Sequence, residues 1–134
     1  MRRGVFFFVT LIIALFGAAV ASAQQPKGAD IELSESVLDL GTLSQDDDKQ
    51  YIRLSFVNSG DVPLVITEVR TSCSCTTVKH DRKPIPPGEQ GVLNITVDPS
   101  KAPEGNFYRV LQVYSTAVSG VKNITLKAKI ENGD

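Results

Sequence analysis

The chain has 134 residues, with 15 acidic and 14 basic side chains, two cysteines, a single histidine and no tryptophan. That charge balance gives no electrostatic footprint for a nucleic acid or an anionic membrane surface. With one imidazole available, any nucleophile–base–acid set would have to use His80.

The opening "MRRGVFFFVTLIIALFGAAVASAQQ" reads as a secretory signal peptide over residues 1–23. Two arginines precede an apolar run over residues 5–20, followed by Ala21-Ser22-Ala23, the small-x-small pattern of a cleavage site. The run is shorter than the roughly 20 residues of a permanent membrane helix. No cysteine stands at the cleavage point to accept a lipid. The expectation is a periplasmic or secreted protein beginning at Gln24, without stable membrane insertion after signal cleavage. Residues 24–30, "QQPKGAD", read as a flexible lead-in, and residues 31–134 as one domain. This mature chain has 12 basic against 15 acidic side chains, again with no call for nucleic acid.

Beyond the lead-in, apolar residues recur with period two. Ile52, Leu54 and Phe56 share one face of "YIRLSFVN", as do Leu93, Ile95 and Val97 in "GVLNITVD", and Ile124, Leu126, Ala128 and Ile130 in "KNITLKAKI". Such alternation marks antiparallel strands with one buried face. Turn signals separate them at Asn58-Ser59-Gly60-Asp61, Pro84 through Gly88, Asp98 through Gly105, and Ser119-Gly120. Strands are predicted near 31–39, 50–58, 62–70, 75–80, 91–97, 106–116 and 121–130. About seven strands in a chain of this length predict an all-β, immunoglobulin-like antiparallel β-sandwich. The acidic run Asp46-Asp47-Asp48-Lys49 reads as a solvated hairpin tip. Two segments break the pattern. "VPLVITEVRT" changes apolar parity between Ile66 and Val69, which a bulge or sheet switch would explain. "FYRVLQVYS" is apolar on both faces, as in a central strand or an exposed apolar stripe.

Taken together, "LDLGTL", "LSFVNSGDVPLVITEVRTSCSCTTV", "PIPPGEQGVLNITVD", "EGNFYRVLQVYST" and "ITLKAKI" resemble the bacterial domain of unknown function 1573 family, over about residues 31–130. The most specific pieces are Asn58-Ser59-Gly60, Cys73-Ser74-Cys75-Thr76 and Pro86-Pro87-Gly88-Glu89. The resemblance implies a secreted immunoglobulin-like domain, similar to those of major sperm protein and Hydin-type proteins, and it lends no activity. Where that family often has Gly between the cysteines, this chain has Ser74, for which positive φ is costly.

No catalytic spelling survives its context. Ser119-Gly120-Val121-Lys122 has the Ser-x-x-Lys order, but that chemistry needs a shared helical face and this stretch is a turn. The Asp46–Asp48 run lacks the alternating ligands and glycine of a calcium loop. The glycosylation spellings Asn94-Ile95-Thr96 and Asn123-Ile124-Thr125 follow ordinary strand alternation.

Cys73 and Cys75 stand one residue apart. On a flat strand, residues i and i+2 are about 6.6 Å apart, too far for a disulfide. An oxidising compartment and an even cysteine count nevertheless favour a bridge. Three readings remain open: unpaired small side chains at the start of a strand, a labile bridge or redox pair formed at a kink, and a soft-metal site with His80 as third ligand. His80 on the opposite strand parity weakens the last and suits a solvated loop. The expected function is a non-enzymatic module, with no cofactor, that contacts another extracytoplasmic protein or serves as a structural or accessory domain. The alternative is thiol-redox or soft-metal chemistry at Cys73 and Cys75. The candidate contact residues are Tyr108 and Tyr114, on a segment with only Arg109 as a charge.

Overall fold

The structure, a computed structural model, describes residues 28–133. The expected signal peptide and residues 24–27 lie outside the described residues. Eight strands follow in order: β1 (Ile31–Leu33), β2 (Val37–Ser44), β3 (Gln50–Asn58), β4 (Ile66–Arg70), β5 (Thr76–His80), β6 (Gln90–Val97), β7 (Gly105–Ser115) and β8 (Lys122–Glu131), with a short 3-10 turn at Pro99–Lys101. They form two four-stranded sheets, ordered β1-β3-β6-β5 and β2-β8-β7-β4. All pairings are antiparallel except β2 with β8, which run parallel.

The alternation read from the sequence builds the core. Leu54 and Phe56 from β3, Leu93, Ile95 and Val97 from β6, and Ile124, Leu126 and Ile130 from β8 are buried between the sheets. Ile52 and Ala128 pack at its margin. Phe107, Leu111 and Val113 complete the second sheet's inner face. Phe56 and Phe107 are the two large aromatic side chains sealed there, so hydrophobic burial alone fixes which face of each strand turns inward.

Three departures from expectation have local causes. The segment 31–39 is two strands, because the chain changes sheets at Ser34-Glu35-Ser36: the Ser34 amide still donates to Ser55 O at 3.0 Å, whereas Ser36 O already accepts from Thr125 N at 2.8 Å. That crossing gives the parallel β2–β8 pair. The parity change in "VPLVITEVRT" is a register shift between Ile66 and Glu68 against β7. Before it, Leu64 forms an isolated bridge with Ile85. Finally, Asp46–Asp48 are exposed as expected, yet their turn joins β2 to β3 across the two sheets and is not a hairpin tip.

The lead-in is anchored from Gly28 onward, which corrects the expectation of flexibility through Asp30. Gly28 N donates to Asp61 Oδ1 at 2.6 Å, Asp61 N donates to Gly28 O and Val118 N to Ala29 O, and Ala29 is buried. The centre of this knot is Asn58, fully buried. Its Nδ2 donates to Val62 O at 2.8 Å and Ile85 O at 2.9 Å, while its Oδ1 accepts from Gly60 N at 2.9 Å. Gly60 lies so close to the lead-in that a Cβ there would stand 2.1 Å from Gly28 O. Pro86 to Glu89 form a β-turn with Glu89 N donating to Pro86 O; Pro87 sets its first corner and Gly88, at φ 78°, its second. Gly88 N then donates to Asn58 O, and Asn58 N to Glu89 O. Two of the three most specific sequence pieces therefore dock on one another, and their role is architectural.

Candidate functional site

The third piece lies at the other end of the first sheet. After Arg70 the chain leaves the second sheet and crosses to β5 in the first. Residues 73–76 form a β-turn in which Thr76 N donates to Cys73 O at 3.2 Å. The single hydroxyl proton of Thr71 is shared between Cys73 O and Thr76 O, at 3.2 and 3.3 Å, and holds both sides of the turn. The kink draws the Cα atoms of Cys73 and Cys75 to 5.1 Å, and the two sulfurs are joined as a disulfide. A flat strand could not have done this, and the reading of two unpaired thiols gives way to the bridge. Ser74 is accommodated without positive φ, a region that no described residue other than glycine enters. Cys75 is buried and Cys73 half-buried. Cys75 N donates to Cys73 Sγ at 3.2 Å.

His80 does not join them. It ends β5, opposite Leu93, about 16 Å along an extended chain from Cys75, and its Nδ1 lies 3.1 Å from Asp81 O. Among the described residues no three His, Cys, Asp or Glu side chains gather as a metal site, and the bridge leaves neither sulfur free to ligate. It is a half-buried strand residue, not the solvated loop histidine expected.

Tyr108 and Tyr114 both point outward from β7, which is an interior strand of its sheet. The double-sided apolar pattern thus has both of its anticipated causes. Phe107, Leu111 and Val113 fill the core, and Tyr108, 60% exposed, and Val110, 44% exposed, form a stripe on the outer face. Val37 on β2 is exposed too, and stands in one row with Thr125 and Val110. The two tyrosines are not equivalent. Tyr114 is half-buried under Arg70, whose guanidinium lies 4.6 Å from the ring centre, and its hydroxyl donates to Gln112 Oε1 at 3.4 Å. Arg70 in turn pairs with Glu68 at 3.1 Å, and hydrogen bonding to that carboxylate, followed by its charge, raises the Arg70 pKa. Tyr108 has no such collar. Beside Val110 a groove of about 360 Å³ is lined by Arg70, Thr71, Ser72, Val110 and Gln112, linking that end of the apolar stripe to the residues before the cysteine turn. Sequence reasoning missed Arg70 and Val37, because the strand pairing that brings them beside the tyrosines is not local.

Two face-to-face four-stranded sheets around one core, with chain crossings between them, define an immunoglobulin-like β-sandwich. The sequence matches the family described as protein of unknown function (DUF1573) over residues 31–130, and the chain belongs to that family. A solved protein of unknown function from Porphyromonas gingivalis W83 is similar at 25% identity and a TM-score of 0.67, over 75% of this chain and 46% of that one. This chain therefore spans less than half of that relative's length. The ASH/PapD-like domain 7 of human CEP192 is similar at 9% identity and a TM-score of 0.65, over 82% and 91% of the two chains. The periplasmic chaperone SfaE is similar at 10% identity and a TM-score of 0.56, over 75% and 58%. For these last two the likeness is one of fold. No curated protein matches the sequence.

Proposed function

We propose that the protein works outside the cytoplasm as a non-enzymatic contact module, binding another extracytoplasmic protein through the outer face of the β2-β8-β7-β4 sheet. The observation that carries this reading is the outward Tyr108 and Val110 pair on an interior strand, bordered by an open groove. Tyr supplies rigid apolar area with a polar tip, the combination enriched at recognition surfaces. The signal-like opening of the sequence supports the compartment. No helix among the described residues is long and apolar enough to cross a membrane. Among the described residues every buried side-chain nitrogen and oxygen has a hydrogen-bond partner, so no orphaned polar group points to a substrate cavity.

Tyr108→Ala should weaken capture of the partner from cell extract by at least about tenfold, the loss of one good anchor, with a melting temperature within a few degrees of wild type. Tyr114→Ala should also weaken capture, with a larger loss of stability because its ring packs under Arg70. Unchanged capture by both variants would overturn the assignment of this face.

A second reading, thiol exchange, takes the bridge as its starting point. A partner dithiol would give two electrons and two protons to Cys73–Cys75 and leave as a disulfide. Mass spectrometry of the native protein with and without an alkylating agent tests it: a bridge that stays closed in the presence of a dithiol protein removes this reading.

A further inference from the structure

β7 runs for 11 residues, whereas β4 pairs only with the stretch from Gln112 to Ser115. At Thr71 the chain turns away to the other sheet, so among the described residues the half of β7 that precedes Gln112 has β8 on one side and no strand on the other. The direction of its backbone groups follows from antiparallel alternation. Thr116 N donates to Val65 O on the β4 side, and on the far side of the sheet Thr125 N donates to Ser36 O of β2's approach. The even-numbered residues of β7 therefore face β4, and the odd-numbered ones bond β8. Past the end of β4, the N–H and C=O of Val110 and Tyr108 face an unfilled edge.

One contact agrees with this direction. The Arg109 guanidinium folds back and donates to the Tyr108 carbonyl at 2.7 Å, which gives that oxygen a donor on the side where no strand supplies one. The same guanidinium sits 4.9 Å from the centre of the Phe107 ring and has no carboxylate partner among the described residues. A cation held at a free sheet edge, beside the outward Tyr108 and Val110, selects the charge of whatever binds there.

We propose that this half of β7 is a strand-addition site that receives an extended segment of a partner protein, with Tyr108 and Val110 beneath its apolar side chains and Arg109 meeting an acidic one. An incoming N–H would take over the Tyr108 carbonyl and release the Arg109 guanidinium to the segment's carboxylate. The added strand prolongs the line of β4 along the groove beside Val110. Main-chain bonds then supply affinity, and side-chain positions supply choice. Of the other edges, β1 has three residues, β5 has five with an exposed Lys79, and β2 and β4 each carry a register shift, devices that blunt pairing; the part of β3 that runs past β1 is open as well, but its outward side chains, Tyr51, Arg53 and Ser55, include no adjoining apolar pair. Edge cations also serve as guards against pairing; a guard repels every strand, whereas a receiving site discriminates by sign.

The proposal rests on the contact reading, and the test separates the two. In the free protein, amide hydrogen exchange should be at least about a hundredfold faster at Tyr108 and Val110 than at Arg109 and Leu111, whose N–H groups bond β8. Equal protection would overturn the open edge while leaving side-chain contact through Tyr108 intact. The peptide Thr-Val-Glu-Val-Thr-Val-Thr, whose valines share one face and whose Glu lies on the other, as Tyr108 and Val110 stand to Arg109, should then bind, slowing exchange at Tyr108 and Val110. Replacing its Glu by Lys, or methylating alternate backbone nitrogens, should each weaken binding by about tenfold or more. No binding, or equal binding of the Lys or methylated peptide, would overturn strand addition. Arg109→Gln should erase the preference for Glu over Lys, and a preference that survives would overturn the role of Arg109.

Discussion

The two ends of the first sheet carry the turns at Asn58–Gly60 with Pro86–Glu89 and at Cys73–Thr76, and they are held by opposite means. At one end Asn58 is buried and ties the lead-in, the turn after β3 and the Pro86–Glu89 turn through side-chain and main-chain hydrogen bonds. At the other, Thr71 to Thr76 are held by one β-turn bond, a threonine hydroxyl and a disulfide that encloses a single residue. A buried polar knot is costly to break, because several partly buried groups lose a hydrogen-bond partner at once. A one-residue covalent loop removes little freedom from the unfolded chain. The motif that looks more chemical should therefore contribute less to the fold.

The largest expected effects are at the Asn58 end. Asn58→Ala would leave Val62 O and Gly60 N without their side-chain partner and take one of two donors from Ile85 O, which keeps Leu64 N; at roughly 1 kcal/mol for each unpaired group the loss should reach about 2 kcal/mol or more in denaturant unfolding. Gly60→Ala should cost as much, because its new Cβ meets the Gly28–Asp30 backbone, not a side chain that can move aside. Gly88→Ala is the control: it has positive φ but open space around it, so its cost should stay near 1 kcal/mol. If Gly60→Ala were no worse than Gly88→Ala, close packing of the lead-in would not be what the Asn58 knot secures.

The cysteine end should yield less. Cys73→Ser with Cys75→Ser is expected to lose no more than about 2 kcal/mol, mostly from a hydroxyl replacing the buried Cys75 sulfur. Urea titration of oxidised wild type, reduced wild type and the double variant checks this. Failure of the variant to fold would mean that the bridge organises the whole β4–β5 crossing and would reverse the contrast between the two ends.

The sequence made one of these ends more legible than the other. The strands and their inward faces follow from the alternation at residues such as Leu54, Phe56, Leu93 and Ile95, because burial of one face is a local, period-two constraint. Asn58-Ser59-Gly60 reads as a turn, yet nothing local reveals that Asn58 also bonds Ile85 and supports Gly88, since those partners lie about 30 residues on. The cysteine turn was ambiguous for a geometric reason: bridging required a kink, and Thr71, which braces it, is an ordinary loop residue in the sequence. The outward stripe on β7 was visible, but its orientation was not. The outer side chains of a double-sided apolar strand become a surface where nothing covers that face of the sheet, and its backbone edge opens only where β4 ends at Arg70, an end set by the crossing to the other sheet.

The smallest predicted effect returns to the knot and concerns pH. Ser119 Oγ donates to Asp30 Oδ1, and this bond is the first cause that lowers the Asp30 pKa below its ordinary 3.8, with Ile31 N and Lys122 adding to it against a partial burial that raises it. A carboxylate with a depressed folded pKa contributes its stabilisation above the unfolded value and loses it as pH falls through the folded one. Asp30 is partly solvated, so the contribution is modest. Ser119→Ala should thus be slightly less stable than wild type near neutral pH, and the gap should close as the pH is lowered below 3.8. Thermal unfolding of both proteins across that range measures it. A gap that persists in acid would assign Ser119 to packing of the Val118–Gly120 turn and remove Asp30 from the forces that hold the lead-in.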